Sequence, residues 1–329
     1  MENVVVLGSN SLAGSYFIDA ALSAGLTVLG ISRSPENPCP FSAYAGNVSI
    51  DRFTFFQADL NTEFDDIWAL ILDRKPMAIV DFAGQGMVAP SWEHPWQWYQ
   101  TNVVAKSRLH RALVGQSWLR YYVRASTPEV YGHHDGLISS TEVMNPTTPY
   151  AVSHAAIDMN LKVYHRQYGF PSVIARFANF YGPGQKLYRI IPRAFYCAVS
   201  RTKLPLHGGG HAVRAFIHGR DVAQALLTLV DRGQYGGIYH FSTDEFLTIR
   251  ELVALCGTIT GTVFDDLVEI TQDRPGKDKA YMMDDSETRQ ELGWNPEINF
   301  KSGLMDCFDW TKKHWDTISS EPLDYIHQP

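Results

Sequence analysis

The sequence has little that would direct the chain into a membrane, onto nucleic acid or into a disulfide framework. No apolar run approaches the ~20 residues of a membrane span, and the first residues have neither the basic start nor the apolar stretch of a signal peptide. The net charge of −7 provides no overall basic surface for nucleic acid. The four cysteines are scattered without a C-x-x-C pair, which is typical of reduced thiols. We therefore expect a cytoplasmic protein that binds neither membrane nor nucleic acid.

The chain also lacks internal repeats and low-complexity linkers. At 329 residues it is long enough for one large domain or two modest ones. Its hydrophobic content of 45% and charged content of 19% are ordinary for a globular protein. Because there is no general positive field, any phosphate-bearing ligand must be held by local groups.

Short apolar runs alternate with amphipathic stretches over the first part of the chain. The predicted strands are Val4–Leu7, Thr27–Ile31, Phe53–Gln57, Ala78–Phe82, Tyr121–Ala125 and Ser172–Phe177. The predicted helices between them are Leu12–Ala24, Phe64–Arg74, Trp98–Val114 and Tyr150–Tyr168. The strands are almost wholly apolar, as strands buried on both faces of a sheet are. This alternation predicts an α/β fold with a doubly wound parallel sheet.

The pattern changes after Asn179, where breakers and further helices dominate. A helix at Asp221–Asp231 and a strand at Ile238–Phe241 are predicted to return to the sheet. We therefore predict a sheet domain made of residues 1–178 and 216–243, and a smaller, discontinuous C-terminal domain made of residues 179–215 and 244–329. The smaller domain is expected at the carboxyl ends of the strands, where open α/β sheets bind ligands.

The first strand is joined to the first helix by a glycine-containing turn, Gly8-Ser9-Asn10-Ser11-Leu12-Ala13-Gly14. Gly8 permits a tight turn, and Gly14 permits close packing of the helix on the sheet. Ser11 is small enough to let a pyrophosphate approach the helix N-terminus at Leu12. The turn favours a dinucleotide, so the sheet domain is predicted to bind one. A βα turn without a ligand is the alternative.

The ends of the next strands supply candidate contacts to the rest of the dinucleotide. Ser32 and Arg33 stand where an acidic residue would hold the ribose hydroxyls of NAD. The pair suits a 2′-phosphate instead, which slightly favours NADP, unless Arg33 is only solvated. Further residues expected to border the cofactor are Asp59, Leu60, Ala83 and Gln85.

Candidate catalytic residues come from two segments. Tyr150 and His154 are four residues apart and share one face of a predicted helix. Thr127 and Glu129 follow a predicted strand and could meet them. A phenol with a pKa of ~10 is a poor base at neutral pH unless a nearby cation lowers that pKa.

Taken together, these motifs resemble the extended short-chain dehydrogenase/reductase family, and within it the nucleotide-sugar 4,6-dehydratases that act on dTDP-glucose and GDP-mannose. The resemblance covers nearly the whole chain. The segments that carry it are residues 8–14, 101–103, 126–132, 149–154, 176–183, 213–218 with Asp221, 273–278 and 291–294. It implies a Rossmann fold and a homodimer packed through the predicted helix at 98–114 and the helix that carries Tyr150.

The resemblance implies a lyase that holds NAD or NADP tightly and converts an NDP-hexose to a 4-keto-6-deoxy sugar. Tyr150 would take the proton of the 4-hydroxyl, with Thr127 hydrogen-bonded to the same oxygen, while hydride leaves C4. Glu129 would remove the C5 proton, the 6-hydroxyl would leave, and hydride would return to C6. Tyr150 and His154 would also contact the cofactor.

Two departures from the family pattern bear on this activity. The dTDP-glucose enzymes place an acidic proton donor where this chain has Pro128, so the donor to the leaving hydroxyl is unassigned, although a protonated Glu129 could serve. At the position of His154 the family has lysine, which binds ribose hydroxyls and lowers the pKa of the tyrosine. A charge at ~4 Å with an effective dielectric of ~20 is worth ~4 kcal/mol, or about three pKa units. Histidine is mostly neutral near pH 7, so His154→Lys is expected to raise turnover.

The resemblance also implies residues that bind a nucleotide-diphosphate sugar. Asn179, Arg214 and Arg274 would hold the diphosphate, because arginine offers a permanent, bidentate cation. Arg189 is a weaker candidate, and Ser91 is a candidate sugar contact. The sequence His133-His134-Asp135 does not indicate a metal, because adjacent loop residues rarely converge on one ion.

Other functions stay open at the level of sequence. One alternative is a nucleotide-sugar epimerase, 4-reductase or 4-oxidase, although a Glu near Thr127 suits a dehydratase better than a 4-epimerase. Another is a catalytically impaired variant, or a non-catalytic nucleotide-sugar-binding protein, because His154 replaces lysine and the turn lacks a middle glycine.

Overall fold

The computed structural model describes residues 2–134, 136–272 and 281–329. Its strands are β1 Asn3–Leu7, β2 Thr27–Ser32, β3 Phe53–Gln57, β4 Ala78–Asp81, β5 Tyr121–Ser126, β6 Leu137–Ile138, β7 Ser172–Phe177, β8 Asn179–Tyr181, β9 Leu204–His207, β10 Val213–His218, β11 Ile238–Phe241, β12 Phe246–Thr248, β13 Val268–Thr271 and β14 Met282–Met283. The predicted strands of the first part of the chain therefore lie within a residue of those in the structure.

The helices flank and extend this framework. They are α1 Leu12–Ser23, α2 Phe64–Arg74, α3 Ala89–Glu93, α4 Pro95–Tyr99, α5 Lys106–Leu113, α6 Pro149–Tyr168, α7 Ile190–Ser200, α8 Gly219–Arg232, α9 Ile249–Thr260, α10 Phe264–Leu267, α11 Ser286–Leu292, α12 Phe300–Lys313 and α13 Trp315–Ile318. Helix α6 begins at Pro149, which is pre-organised for the first helical position, and the Thr148 hydroxyl caps it by accepting from the Ala151 N–H.

Seven strands form one sheet in the order β11-β7-β5-β4-β1-β2-β3. Every neighbouring pair in this sheet is parallel. Strand order reverses next to β1, as in a doubly wound sheet, so the predicted fold class is confirmed. The carboxyl ends of β1, β2, β4 and β5 meet at one edge, and the side chains discussed below lie there.

One predicted helix is more complex than its apolar spacing indicated. The stretch expected as Trp98–Val114 consists of α4, a π-helical turn at Gln100–Ala105 and then α5. The wider π turn contains the buried Asn102. Turns of this kind are rare and frequently lie at functional sites.

Within the described ranges, the C-terminal part forms two small sheets beside the large one, and its strand β14 pairs with β6 in a third. Strands β8, β10 and β12 form one, and β9 pairs with β13 in the other. Helices α7, α9 and α12 bury an apolar cluster with them, including Phe195, Leu252 and Leu304. The predicted strand Ile238–Phe241 does return to the large sheet, as β11 beside β7. The division into two domains at the predicted boundaries stays a prediction.

A buried carboxylate ties α8 to the segment after α11. Asp221 accepts hydrogen bonds from the N–H groups of Glu297 at 2.9 Å and Ile298 at 3.3 Å. The Trp294 indole donates to the carbonyl of Asp221 at 3.3 Å. These contacts hold the C-terminal helices against the large sheet.

Candidate active site

The turn after β1 brings its backbone against the end of β4. Gly8 has a φ of +76°, and a Cβ there would lie 2.6 Å from the Ala83 backbone nitrogen. A Cβ on Gly14 would lie 2.8 Å from the Gly8 carbonyl oxygen. Both positions therefore require glycine for different reasons: a left-handed conformation with a close approach at Gly8, and close packing at Gly14.

Ser11 begins helix α1, directly before Leu12. Its hydroxyl oxygen accepts a hydrogen bond from the Gly14 N–H at 3.0 Å, so Ser11 is the N-cap of the helix. The remaining N–H groups of the first turn and the helix dipole favour an anion at this end. The missing middle glycine is thus replaced by a residue that has a structural role of its own.

A cleft of about 250 Å³ opens beside this turn at the carboxyl ends of the strands. The residues predicted to contact a cofactor that line it are Gly8, Ser11, Ser32, Arg33, Asp59, Leu60, Ala83 and Gln85. Its walls combine the free helix end with apolar and polar side chains from four strand ends. These are eight of the twelve residues that the sequence assigns to a dinucleotide. The other four, Leu12, Gly14, Tyr150 and His154, do not line this cleft.

Several of these polar groups already have protein partners. The Ser32 hydroxyl accepts from the Asn10 N–H at 3.0 Å and so ties the turn to β2. Arg33 donates to the carbonyl of Gln328 at 2.9 Å, and Gln85 donates to the same oxygen at 2.8 Å. The C-terminal residues therefore lie against the cleft, a contact that the sequence did not indicate.

The hydroxyl of Tyr150 lies with Thr127 and Glu129. Burial raises the pKa of the Tyr150 phenol above its ordinary value, the nearby Glu129 carboxylate raises it further, and a hydrogen bond with the Thr127 side chain lowers it. Thr127 also caps the helical turn Pro128–Tyr131, because its oxygen accepts from the Glu129 N–H at 3.2 Å. The phenol is thus hydrogen-bonded to the Thr127 hydroxyl, and the Glu129 carboxylate is near enough to affect its pKa.

Ser91 and Asn102 hold the start of α6 in position. The Ser91 hydroxyl accepts from the Tyr150 N–H at 3.2 Å and donates to the Val88 carbonyl at 2.6 Å. Asn102 donates to the Ser153 hydroxyl at 2.9 Å and accepts from the Gln85 N–H at 2.8 Å. Ser91 therefore lies beside Tyr150 as expected, but its predicted contact with a sugar stays a prediction.

A second group of side chains faces the same region from the C-terminal part. The Tyr281 hydroxyl donates to Asn179 Oδ1 at 3.1 Å, and the Arg214 guanidinium lies 4.2 Å from the centre of the Tyr281 ring. Burial and the Glu129 carboxylate raise the pKa of Tyr281 to about 12, although Arg214 opposes them. Tyr281 therefore contacts both Asn179 and Arg214, and Glu129 lies near enough to affect its pKa.

Two predicted substrate residues differ in their setting. Arg189 precedes α7, and its positive charge acts on Tyr150 by lowering the pKa of the phenol. Arg274 lies outside the described residues.

Tyr281 was missed at the level of sequence, and its position just after the motif at 273–278 was the one available signal.

His154 is buried beside Tyr150, with the two ring centres 4.6 Å apart. Burial lowers the pKa of His154 well below its ordinary value, and the neighbouring Arg124 and Lys106 cations lower it further. The imidazole is therefore neutral. It cannot supply the positive charge that lysine has at this position in the family.

Arg124, Lys106 and Asp81 form a buried charged group next to His154. The Lys106 ammonium contacts both carboxylate oxygens of Asp81, and Tyr122 donates to the same carboxylate at 2.7 Å. The sequence analysis missed this group because its three members lie on separate elements. A signal did exist, since charged residues interrupt the apolar ends of β4 and β5.

Among the described residues, no group of three or more His, Cys, Asp or Glu side chains could hold a metal ion. His134 lies 3.5 Å from a Glu142 oxygen, and Asp135 falls outside the described part. None of the helices described combines the length and the apolar composition needed to cross a bilayer.

Comparison with known proteins gives consistent matches. One relative is a trifunctional UDP-glucose 4,6-dehydratase/UDP-4-keto-6-deoxy-D-glucose 3,5-epimerase/UDP-4-keto-L-rhamnose-reductase of Arabidopsis thaliana, which is 28% identical to this chain. The aligned part covers 84% of this chain but only 42% of the Arabidopsis protein. A dTDP-glucose 4,6-dehydratase of Xanthomonas campestris pv. campestris is 28% identical over 96% of this chain and 95% of its own length.

A solved structure is similar over almost the same extent. The dTDP-glucose 4,6-dehydratase DesIV from Streptomyces venezuelae, determined with NAD bound, has a TM-score of 0.87 at 28% identity and covers 95% of this chain and 98% of its own. A sequence model described as the NAD dependent epimerase/dehydratase family matches residues 4–241. Because that match extends over more than half of the chain, the protein belongs to this family.

Proposed function

We propose that the protein is an NAD(P)-dependent nucleotide-sugar 4,6-dehydratase, which converts an NDP-hexose to an NDP-4-keto-6-deoxyhexose. The observation that carries the proposal is the Tyr150 phenol, which is hydrogen-bonded to Thr127 and lies near enough to Glu129 for that carboxylate to affect its pKa. Relatives named dTDP-glucose 4,6-dehydratase that align along nearly the whole chain support the same activity.

The cleft fits a dinucleotide. The positive φ of Gly8 and the contact that a Cβ would make with Ala83 leave a backbone cradle, and the capped start of α1 favours a pyrophosphate. When bound, the nicotinamide would take hydride from C4 of the sugar and return it to C6. Ser32 and Arg33 at the end of β2 support a slight preference for NADP over NAD. Because the reaction has no net redox change, the cofactor need not leave between turnovers, which favours tight retention. A cytoplasmic location stays a prediction.

The residues of this chain would handle the protons. Tyr150 would accept the proton of the sugar 4-hydroxyl, with Thr127 hydrogen-bonded to the same oxygen. Glu129 would then remove the C5 proton, which the 4-ketone makes acidic. Since Pro128 carries no proton, Glu129 would pass that proton to the departing 6-hydroxyl. A carboxylate near the tyrosine favours this reaction over 4-epimerisation, 4-reduction or 4-oxidation, none of which needs a C5 base.

Asn179, Arg214 and Tyr281 would hold the nucleotide diphosphate. The Arg214 side chain is largely buried and lies over the Tyr281 ring, so little conformational entropy is left to lose when an anion binds. Arg189 and Arg274 are further candidates for this role. Because these residues suit a diphosphate, we expect the substrate to be a nucleotide-diphosphate sugar.

A homodimer is also proposed, because apolar side chains are exposed on one surface. Val152, Met159 and Val163 lie on one face of α6, and Val104 is exposed in the π turn that packs beside it. A second copy of the chain that supplies the same helices would bury this surface in a self-complementary interface.

Glu129→Gln tests the dehydration step. Product formation should fall by about 10²–10⁴-fold, because a general base is lost, while substrate should still cause the absorbance of reduced cofactor to develop. Glu142→Gln is the matched control, since that carboxylate lies in a nearby loop and should leave the rate unchanged. Undiminished formation of the 4-keto-6-deoxy product by the Glu129 variant would refute the role.

Turnover should rise with pH between about pH 6 and about pH 9, because the pKa of Tyr150 is raised and the phenolate is the active base. Tyr150→Phe should lower kcat by about 10²–10⁴-fold and remove this rise. Tyr168→Phe, on the exposed end of the same helix, is the control. A wild-type rate that falls as the pH rises would contradict the assignment.

The dimer can be tested by light scattering after gel filtration. The wild-type protein should have twice the mass of one chain, and Met159→Lys combined with Val163→Lys should yield monomers, because two charges would be buried without partners. Tyr235→Lys, which alters an exposed aromatic residue elsewhere, should stay dimeric. A wild-type protein with the mass of a single chain would contradict the proposed homodimer.

A further inference from the structure

Arg124 makes a direct contact with the histidine that stands in place of lysine. Its Nη2 atom lies 3.1 Å from Nδ1 of His154, and both side chains are buried. The guanidinium can only donate hydrogen bonds. Nδ1 must therefore accept, which requires that this nitrogen carry no proton.

The position of the ring proton follows from this contact. A neutral imidazole has one N–H, so an accepting Nδ1 leaves the proton on Nε2. That Nε2 atom is buried and has no hydrogen-bond partner among the residues that the structure describes. A buried donor without a partner is costly, so Nε2 is available to donate to a bound ligand.

Burial, together with the charges behind His154, explains why the ring is neutral. Arg124 also lies 3.6 Å from Asp81 Oδ2, and Lys106 contacts the same carboxylate. One carboxylate thus faces two cations, and the surplus of positive charge disfavours a third cation at position 154. The gain in turnover expected from His154→Lys on sequence grounds does not take this cluster into account.

We propose that Arg124 is a positioning residue that fixes His154 as the Nε2–H tautomer, so that His154 serves as a neutral hydrogen-bond donor to a ribose hydroxyl of the bound dinucleotide. The inference rests on the proposed function, because that function requires a dinucleotide. In this arrangement His154 provides the hydrogen bond of the family's lysine, and the permanent positive charge lies behind it on Arg124.

The tautomer can be measured directly in the intact protein. Nitrogen-15 NMR of histidine-labelled protein should show an unprotonated Nδ1 and a protonated Nε2 for the ring whose signals disappear in His154→Gln. Arg124→Lys should keep this pattern, because it retains a donor, and Arg124→Met should shift protonation toward Nδ1. A protonated Nδ1 in the wild-type protein would overturn the proposal. This test holds even if the Arg124 variants do not fold, because it is made on the wild-type protein.

A double-mutant cycle tests the link to the dinucleotide. Arg124→Met and His154→Lys should each weaken binding of NAD or NADP, measured by calorimetry, by about tenfold, which corresponds to the loss of one charge-assisted hydrogen bond. The double variant should bind more tightly than either, since removal of Arg124 makes room for the lysine charge. Arg120→Met, on an exposed arginine just before β5, should change neither affinity nor tautomer.

Additive losses in the double variant would contradict the proposal. Neither the tautomer nor dinucleotide affinity depends on turnover of a sugar. If dehydration is not observed but the tautomer and the dinucleotide affinities are as expected, only the proposed function is contradicted. If dehydration is observed but the tautomer or the affinities differ from expectation, only the role of Arg124 is contradicted.

Discussion

The arrangement of the site depends on how the first two turns of α6 are fixed against the sheet. Hydrogen bonds reach this helix from three directions: Ser91 binds the Tyr150 N–H, Asn102 binds Ser153, and Arg124 binds His154. Deeper along the same face, Asp158 accepts from Ser126 at 2.7 Å. Three of these contacts are buried and the Ser91 contact is partly buried, so a shift of the helix would leave polar groups unsatisfied. The position of the phenol is therefore set by the sheet edge rather than by the helix alone.

The electrostatics of the site follow from the same contacts. Glu129 and burial disfavour the phenolate, Thr127 favours it, and His154 is neutral. In the proposed site, hydrogen bonding by His154 and positive charge on Arg124 are separate, where a single lysine would combine them. A nicotinamide cofactor would supply positive charge when bound, and any cation near the phenol would lower its pKa.

Much of the fold was predictable because parallel strands buried on both faces are apolar and short, and the helices between them are amphipathic. The cleft was predictable for a similar reason, since Gly8, Ser11, Ser32 and Asp59 follow strand ends that must meet. Periodicity did not reveal the π turn around Asn102, because the turn serves a tertiary contact. The Asp81–Lys106–Arg124 cluster and Tyr281 were missed because their meaning depends on elements far apart in sequence.

The central claim is that one site oxidises C4 of a nucleotide sugar and completes an elimination without net redox change. The most direct measurement is the fate of deuterium placed at C4 of an NDP-hexose, followed by mass spectrometry and NMR of the product. The account predicts that the label moves to C6 of a 4-keto-6-deoxy sugar within the same molecule. Label retained at C4, or lost to free reduced cofactor, would contradict it.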